Sequence, residues 1–247
     1  MILKAIAAFP LAALLAVSPA LAGPSAGPGQ AAEKSAAAGQ IKKVEDAIRT
    51  IEEMTKESDK SIPASLIEDC AGIAILPDVI RVGLVIGGRH GKGVLLIRTK
   101  DGGWSDPSFV DIKGGSIGFQ AGVQSADIVL VFRTPRSVET ITEGTFTLGA
   151  DAGVAAGPLG RTAEASTDSE LKAEILAYSR SRGLFAGLTL QGSSLQEDRK
   201  ANLDFYGTDI SPKEIFEGRA KAVPEVAARL KIALAELARQ KTTDRPF

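Results

Sequence analysis

The chain has one histidine, one cysteine, one tryptophan and two tyrosines in 247 residues. A lone His and a lone Cys cannot supply a Cys/His zinc site, a haem c attachment or an internal disulfide. Neither sign of charge dominates: 29 Lys+Arg meet 30 Asp+Glu, for a formal net charge of −1. Such a chain has no bulk attraction for nucleic acid, so any anion binding must come from a local cluster. Charged residues at 24% and apolar ones at 44% are ordinary globular values and argue against wholesale disorder. What is abundant is glycine, with 26 residues.

Residues 1–22 read as a targeting segment rather than as fold. Lys4 gives a short basic start, Ala5–Val17 an apolar run, and Ala20-Leu21-Ala22 a small-x-small cleavage signature. The run is shorter than the roughly 20 apolar residues a bilayer span needs, so the expectation is an exported protein, periplasmic or secreted. No cysteine follows Ala22 to carry a lipid anchor, and Cys70 is expected as a small buried hydrophobe. Gly23–Ala38, rich in Gly, Pro, Ser, Ala and Gln, reads as a flexible leader. Its Gly23-Pro24-Ser25-Ala26-Gly27 matches the G-x-S-x-G string but lacks the strand before it that a nucleophile elbow requires.

From Ile41 the pattern is helical, with Ile41, Val44, Ile48, Ile51 and Met54 on one stripe and Pro63 marking the end. Residues 33–60 hold six Lys/Arg and seven Asp/Glu, so the stripe is expected to pack on a core rather than lie on a membrane. Residues 71–192 change character. Nineteen of the 26 glycines lie between Gly83 and Gly192, among short aliphatic runs such as 72–76, 83–88, 93–98 and 127–132. Glycine within strands marks bulges or close backbone approach. Two hairpins are expected: Arg81–Arg98 turning at Gly87–Gly91, and Ser116–Phe132 turning near Gln124-Ser125-Ala126. Helices are expected from Thr134-Pro135, over Ser211–Phe216, and over Pro224–Gln240 with Val226, Leu230, Leu234 and Leu237 on one face. Ser169–Tyr178 fits either helix or strand. The reading is one α+β domain, residues 39–241, with 242–247 a C-terminal tail. Its centre is a mainly antiparallel, curved sheet or part-barrel packed with N- and C-terminal helices.

Chemistry-bearing residues are few. Between Asp78 and Asp101 lie Arg81, Arg89, Lys92, Arg98, Lys100 and His90 with no acid. This local positive charge suits a phosphate or anionic head group, or equally a solvated edge hairpin whose cations discourage edge pairing. A P-loop is excluded, because Lys92 precedes Gly93 rather than Ser or Thr. His90 has no carboxylate or nucleophile beside it in sequence, and the aspartates are scattered without metal-site spacing. Arg180 and Arg182, in Tyr178-Ser179-Arg180-Ser181-Arg182-Gly183, offer a second pair of guanidiniums.

These residues carry a family resemblance. Ile73-Ala74-Ile75-Leu76-Pro77, Gly87-Gly88-x-x-Gly91-x-Gly93-Val94, Trp104-Ser105-x-Pro107-Ser108-Phe109 and Gly114-Gly115-Ser116-Ile117-Gly118-Phe119-Gln120 are followed, in order, by four further stretches. Those are Leu148-Gly149-Ala150-Asp151, Ala156-Gly157-Pro158-Leu159-Gly160-Arg161, Tyr178–Gly187 and Asn202-x-x-Phe205-Tyr206-Gly207. Over about residues 41–217 the chain resembles the SYLF-domain family of lipid-binding proteins. The resemblance implies binding of anionic lipid, phosphoinositides in eukaryotic members, with links there to actin and endocytosis. It implies no enzymatic activity, cofactor or metal. These 247 residues contain no SH3 or FYVE module, so with the export signal the expected ligand is an anionic lipid or phosphorylated amphiphile of a bacterial envelope. Arg98, Arg180 and Arg182 carry over from the matched motifs, whereas Arg81, Arg89, Lys92 and Lys100 rest on the charge count. An envelope protein-interaction module and a hydrolase using His90 are the rival expectations.

Overall fold

A computed structural model describes residues 28–56, 61–83, 86–117, 122–142, 144–159, 173–181, 184–185 and 190–239. Residues 1–22, read above as a targeting segment, and 242–247, read as a tail, lie outside these residues. Helix α1 (Pro28–Thr55) buries Val44, Ala47, Ile48, Ile51 and Met54, the stripe that its sequence spacing predicts. It also extends back through the alanine-rich residues 28–38, read above as a flexible leader. Alanine is the best helix former, and a helix nucleated by its packed C-terminal half propagates readily into such a segment.

After α2 (Ala64–Asp69), four long strands make the centre of the sheet: β1 (Gly72–Gly83), β2 (Ile86–Ile97), β3 (Ser108–Ile117) and β4 (Gly122–Phe132). Helix α3 (Pro135–Thr142) and short strands β5 (Phe146–Thr147) and β6 (Val154–Ala156) follow. Then come β7 (Ile175–Ser181), β8 (Leu184–Phe185), β9 (Ser194–Glu197), α4 (Arg199–Tyr206), α5 (Pro212–Phe216) and α6 (Glu225–Arg239). The strand order is β5-β9-β3-β2-β1-β4-β7-β6, with β8 paired to β7, and every pairing is antiparallel except β6 with β7. The ambiguous segment before Tyr178 is therefore strand from Ile175 onward.

Ile73–Leu76, Val94–Leu96 and Ile128–Phe132 are buried without interruption, so the middle of the sheet is covered on both faces. One face carries α1 and α4, with α6 packed on α1 and α2: Phe109, in register with Val94, meets Phe205 of α4 with ring centroids 5.1 Å apart. The opposite, inner face meets α3, since a Cβ on Gly72 would lie 3.0 Å from Val138 Cγ2. Asn202 fastens α4 to β3. Its Oδ1 accepts the Phe109 N–H at 2.8 Å, and its Nδ2 donates to Ser108 Oγ and Glu197 Oε1. Beside it the Tyr206 hydroxyl donates to the Pro107 carbonyl at 2.6 Å, and Gly207 closes the helix at φ 68°.

The two hairpin turns differ from expectation. Gly87–Gly91 lie within β2, paired with β1 and β3, and the chain reverses beyond Gly83 and Ile86. Strands β3 and β4 are not partners either. They flank the β1/β2 hairpin on its two sides, and Gln124-Ser125-Ala126 sit inside β4 opposite Arg81, Ile80 and Val79. The glycines serve close approach instead of turning. Between Leu76 and Val79, strand β1 carries two residues where β4 carries only Asp127, a β-bulge in which Asp78 adopts φ 51°. The bulge presses on β2. A Cβ at Gly93 would overlap the Ile75 carbonyl oxygen and lie 2.7 Å from Leu76 Cα, and one at Gly91 would lie 2.6 Å from Val79 Cγ2. Gly88, farther along the same strand, has nothing within 4 Å of that position. Gly93→Ala is therefore expected to destabilise the fold by at least about 2 kcal/mol. Gly88→Ala should stay within about 0.5 kcal/mol of wild type. Chemical denaturation of the two variants checks the contrast.

Candidate functional site

The acid-free basic stretch does not fold into one patch, because alternate side chains of a strand point to opposite faces. Arg89 faces the inner side, is 5% exposed, and its Nη1 donates to Ser193 Oγ at 2.9 Å. Burial, and secondarily the Arg81 charge paired with it in register, pull its pKa below the ordinary guanidinium value. Lys92 faces the helix side and forms an ion pair with Asp198, whose other oxygen caps α4 at the Ala201 N–H. Lys100 lies exposed in the turn after β2, at the far end of the sheet from Arg81.

The residues carried over from the resemblance are structural ties where they are described. Arg98 Nη2 donates to the Ile67 and Glu68 carbonyls at the end of α2, and Nη1 to the Gly102 carbonyl. Its guanidinium carbon lies 4.0 Å from the centroid of the Trp104 ring. Open grooves of about 400 and 490 Å³ flank this clamp between α6, α2 and the turn after β2. The first is lined by Arg98, Lys231 and Arg239 against Asp101, with Lys231 held by Asp106, and the second by Arg98 and Arg239 against Glu68 and Asp69. Arg180 pairs with Glu53 of α1 and lies 3.7 Å from Asp127, joining helix to sheet. Arg182 lies outside the described residues.

The end of the sheet beyond the bulge has a different character. On the helix-side face, Val82 stands in register with Gly88 and Val123, and Gly88 with Gly115. One row nearer the centre, Ile80 stands in register with His90 and Ser125, and His90 with Lys113. Ile80, Val82 and Val123 are 47%, 51% and 69% exposed. In sequence, no Asp or Glu occurs between Asp78 and Asp101, between Asp111 and Asp127, or between Glu174 and Glu197. The strands thus bring Arg81, His90 and Lys113 to this end, with the Asp111 carboxylate beside Lys113 and that of Asp78 beside Ser125. Among the described residues Arg81 has no ion pair, and the Lys113 ammonium, half-exposed, contacts Asp111 at 2.8 Å. Reading the sequence for charge alone missed Ile80, Val82, Val123 and Lys113. The alternation Ile80-Arg81-Val82 was the available signal, but apolar residues at that period ordinarily mark a buried face.

Catalytic geometry is not assembled around His90. It is exposed, and neither a hydroxyl nor a carboxylate among the described residues hydrogen-bonds to it. Among the described residues no group of three His, Cys, Asp or Glu side chains could hold a metal ion. No helix among them is long and apolar enough to cross a membrane. Cys70 is buried, its Sγ donates to the Ile67 carbonyl at 3.2 Å, and burial pushes its thiol up to about 11.

Comparison with known proteins supplies a family. A family model described as Ysc84, Las17-binding protein actin regulator, matches residues 113–237. LAS seventeen-binding protein 3 of Saccharomyces cerevisiae is 40% identical over 172 residues, covering 68% of this chain and 37% of that protein. The yeast protein YSC84 is 39% identical over 178 residues, covering 71% and 38%. The human SH3 domain-containing YSC84-like protein 1 is 39% identical over 182 residues, covering 72% and 53%. The chain therefore spans about half or less of the length of the relatives it matches.

Two outcomes follow from this geometry. Arg98→Lys keeps the charge but loses the planar fork that reaches three carbonyls, and should cost about 2 kcal/mol of stability in a denaturation experiment. Cys70 should resist iodoacetamide at pH 8 in the native protein and react rapidly once denatured, as mass spectrometry would show, because only the thiolate attacks.

Proposed function

The chain belongs to the Ysc84 (SYLF-domain) family, and on that premise we propose that it binds anionic lipid surfaces without catalysing a reaction. The observation carrying this reading is the end of the sheet beyond the bulge, where Arg81, His90 and Lys113 accompany exposed apolar residues. An anionic surface potential attracts such a cluster at about 1 kcal/mol per basic residue, even on a protein with a net charge near zero. Arg89, Lys92, Arg98 and Arg180 contribute mainly by holding the fold in shape, which moves the lipid contact away from most of the cations that the sequence singled out. The targeting segment Met1–Ala22 supports an exported setting, periplasmic or secreted, with an envelope lipid or phosphorylated amphiphile as ligand.

A second reading, a protein-interaction module, draws on the description of the family as a Las17-binding protein actin regulator. Partners of the longer relatives pass to this chain only as a proposal of that kind. Sedimentation with phosphatidylcholine vesicles, with and without phosphatidylglycerol, separates the two. The lipid reading expects binding to the anionic vesicles only, weakening as salt rises. The double variant Arg81→Glu with Lys113→Glu should bind at least about tenfold more weakly. Equal sedimentation with both vesicle types, or none, overturns the lipid reading, and a stoichiometric protein partner without lipid preference favours the second.

A further inference from the structure

The helix-side face of the sheet is continuous along β1, β2 and β4, but its cover is not. Toward the centre, Ile73, Ile75, Val94 and Leu96 on this face are all fully buried. The last ties from the helical layer reach the sheet at Arg180, which meets Glu53 of α1, and at Lys92, which meets Asp198 at the start of α4. Beyond that level the same face runs on uncovered through Ile80, Val82 and Val123. Gly88 and Gly115, in register with Val82, add no side chain that could shade the two valines. Exposed apolar side chains grouped on one face and rimmed by polar and charged residues, here Arg81, His90, Lys113 with Asp111 and Ser125 with Asp78, mark a contact surface.

The spacing of this end matches a membrane interface. Two residues along a strand span about 7 Å, so the row of Ile80, His90 and Lys113 lies about 7 Å behind the row of Val82 and Val123. Apolar groups of interfacial proteins enter the boundary between head groups and acyl chains to about 5–10 Å. With the valines at that depth, His90 and Lys113 stand level with the phosphates. Arg81, one residue behind Val82 and facing the inner side, stands level with them too.

Resting on the lipid reading above, we propose that the sheet enters an anionic bilayer end-on. Val82 and Val123 lead into the acyl boundary, and Ile80, His90, Lys113 and Arg81 form the rim at the phosphates. The contact is then partly apolar, and part of it survives high salt. A second copy of the chain is the competing occupant of the face, but two such ends would set Arg81 against its own counterpart, and Lys113 already has Asp111 of its own strand as partner.

The full chain offers a direct test, because its one native cysteine is buried. An NBD dye is attached to the Val123→Cys variant and, as control, to the Ile232→Cys variant on α6, an exposed position at the opposite end of the sheet. On phosphatidylcholine–phosphatidylglycerol vesicles the dye at position 123 should brighten and shift to the blue. Lipids brominated in their acyl chains should quench it. The dye at position 232 should stay in water. If the protein sediments with these vesicles but the dye at 123 stays aqueous, end-on entry is overturned while the lipid reading stands. If the protein does not sediment, both fall. Brightening at 123 that rises with protein concentration without lipid assigns the face to a second copy and overturns the proposal. As a check free of dye, Val82→Ser with Val123→Ser should leave thermal stability unchanged and weaken high-salt vesicle binding at least about tenfold. Unchanged high-salt binding by this variant also overturns end-on entry.

Discussion

The contact between the bulge of β1 and the bare backbone of β2 is the constraint on which the rest of the structure depends. Strand β1 lies at the centre of the sheet, with β2 on one side and β4 on the other, so an extra residue in it bends both pairings together. The bend is tolerated only because Gly91 and Gly93 leave room for Ile75, Leu76 and Val79 to settle onto them. The same device recurs elsewhere. A Cβ at Gly114 would overlap Ser193, and one at Gly157 would enter the Tyr178 ring. The buried Tyr178 hydroxyl donates to the Pro158 carbonyl, closing that side. Curvature of this sheet is thus obtained by removing side chains where chain crosses chain.

Most of the strong cations hold this bent sheet to its helices. Arg98 collects three carbonyls and an indole face, Arg180 joins α1 to β4 and β7, and Lys92 shares Asp198 with the start of α4. Each is a case in which a charged group gains hydrogen bonds that an isolated surface pair would not make. A consequence is an uneven outer surface. At the far end of the sheet Arg81 and Lys113, the latter beside Asp111, stand among exposed aliphatic side chains.

The parts legible in the sequence were those governed by local periodicity. The stripe of α1 and that of α6, with Val226, Leu230, Leu234 and Leu237 all buried, followed from residues three and four apart. The short α5 was announced by Ser211 and Pro212, and the structure closes a full capping box between Ser211 and Glu214. The turns were misplaced for an equally physical reason. A glycine cluster satisfies a tight turn and a close chain crossing alike, and only the neighbouring strand distinguishes them. Gly87–Gly91 look like a turn until the β1 bulge is set above them. Gln124-Ser125-Ala126 look like one until β4 is seen to pair with β1 rather than β3.

The sequence by itself determined the α+β class, the exclusion of an internal disulfide and of a Cys/His zinc site, and three long acid-free stretches, because composition and local spacing do not depend on what lies across the sheet. Tertiary structure decided which cations are spent as internal ties and which stand at the surface. It also decided that Ile80, Val82 and Val123 face solvent, although their alternation is that of a buried strand. The reason lies in the extent of the helical cover: the face is the same along the whole strand, but α1 and α4 reach only part of it. That limit is set by where separate elements meet, and no window of neighbouring residues encodes it.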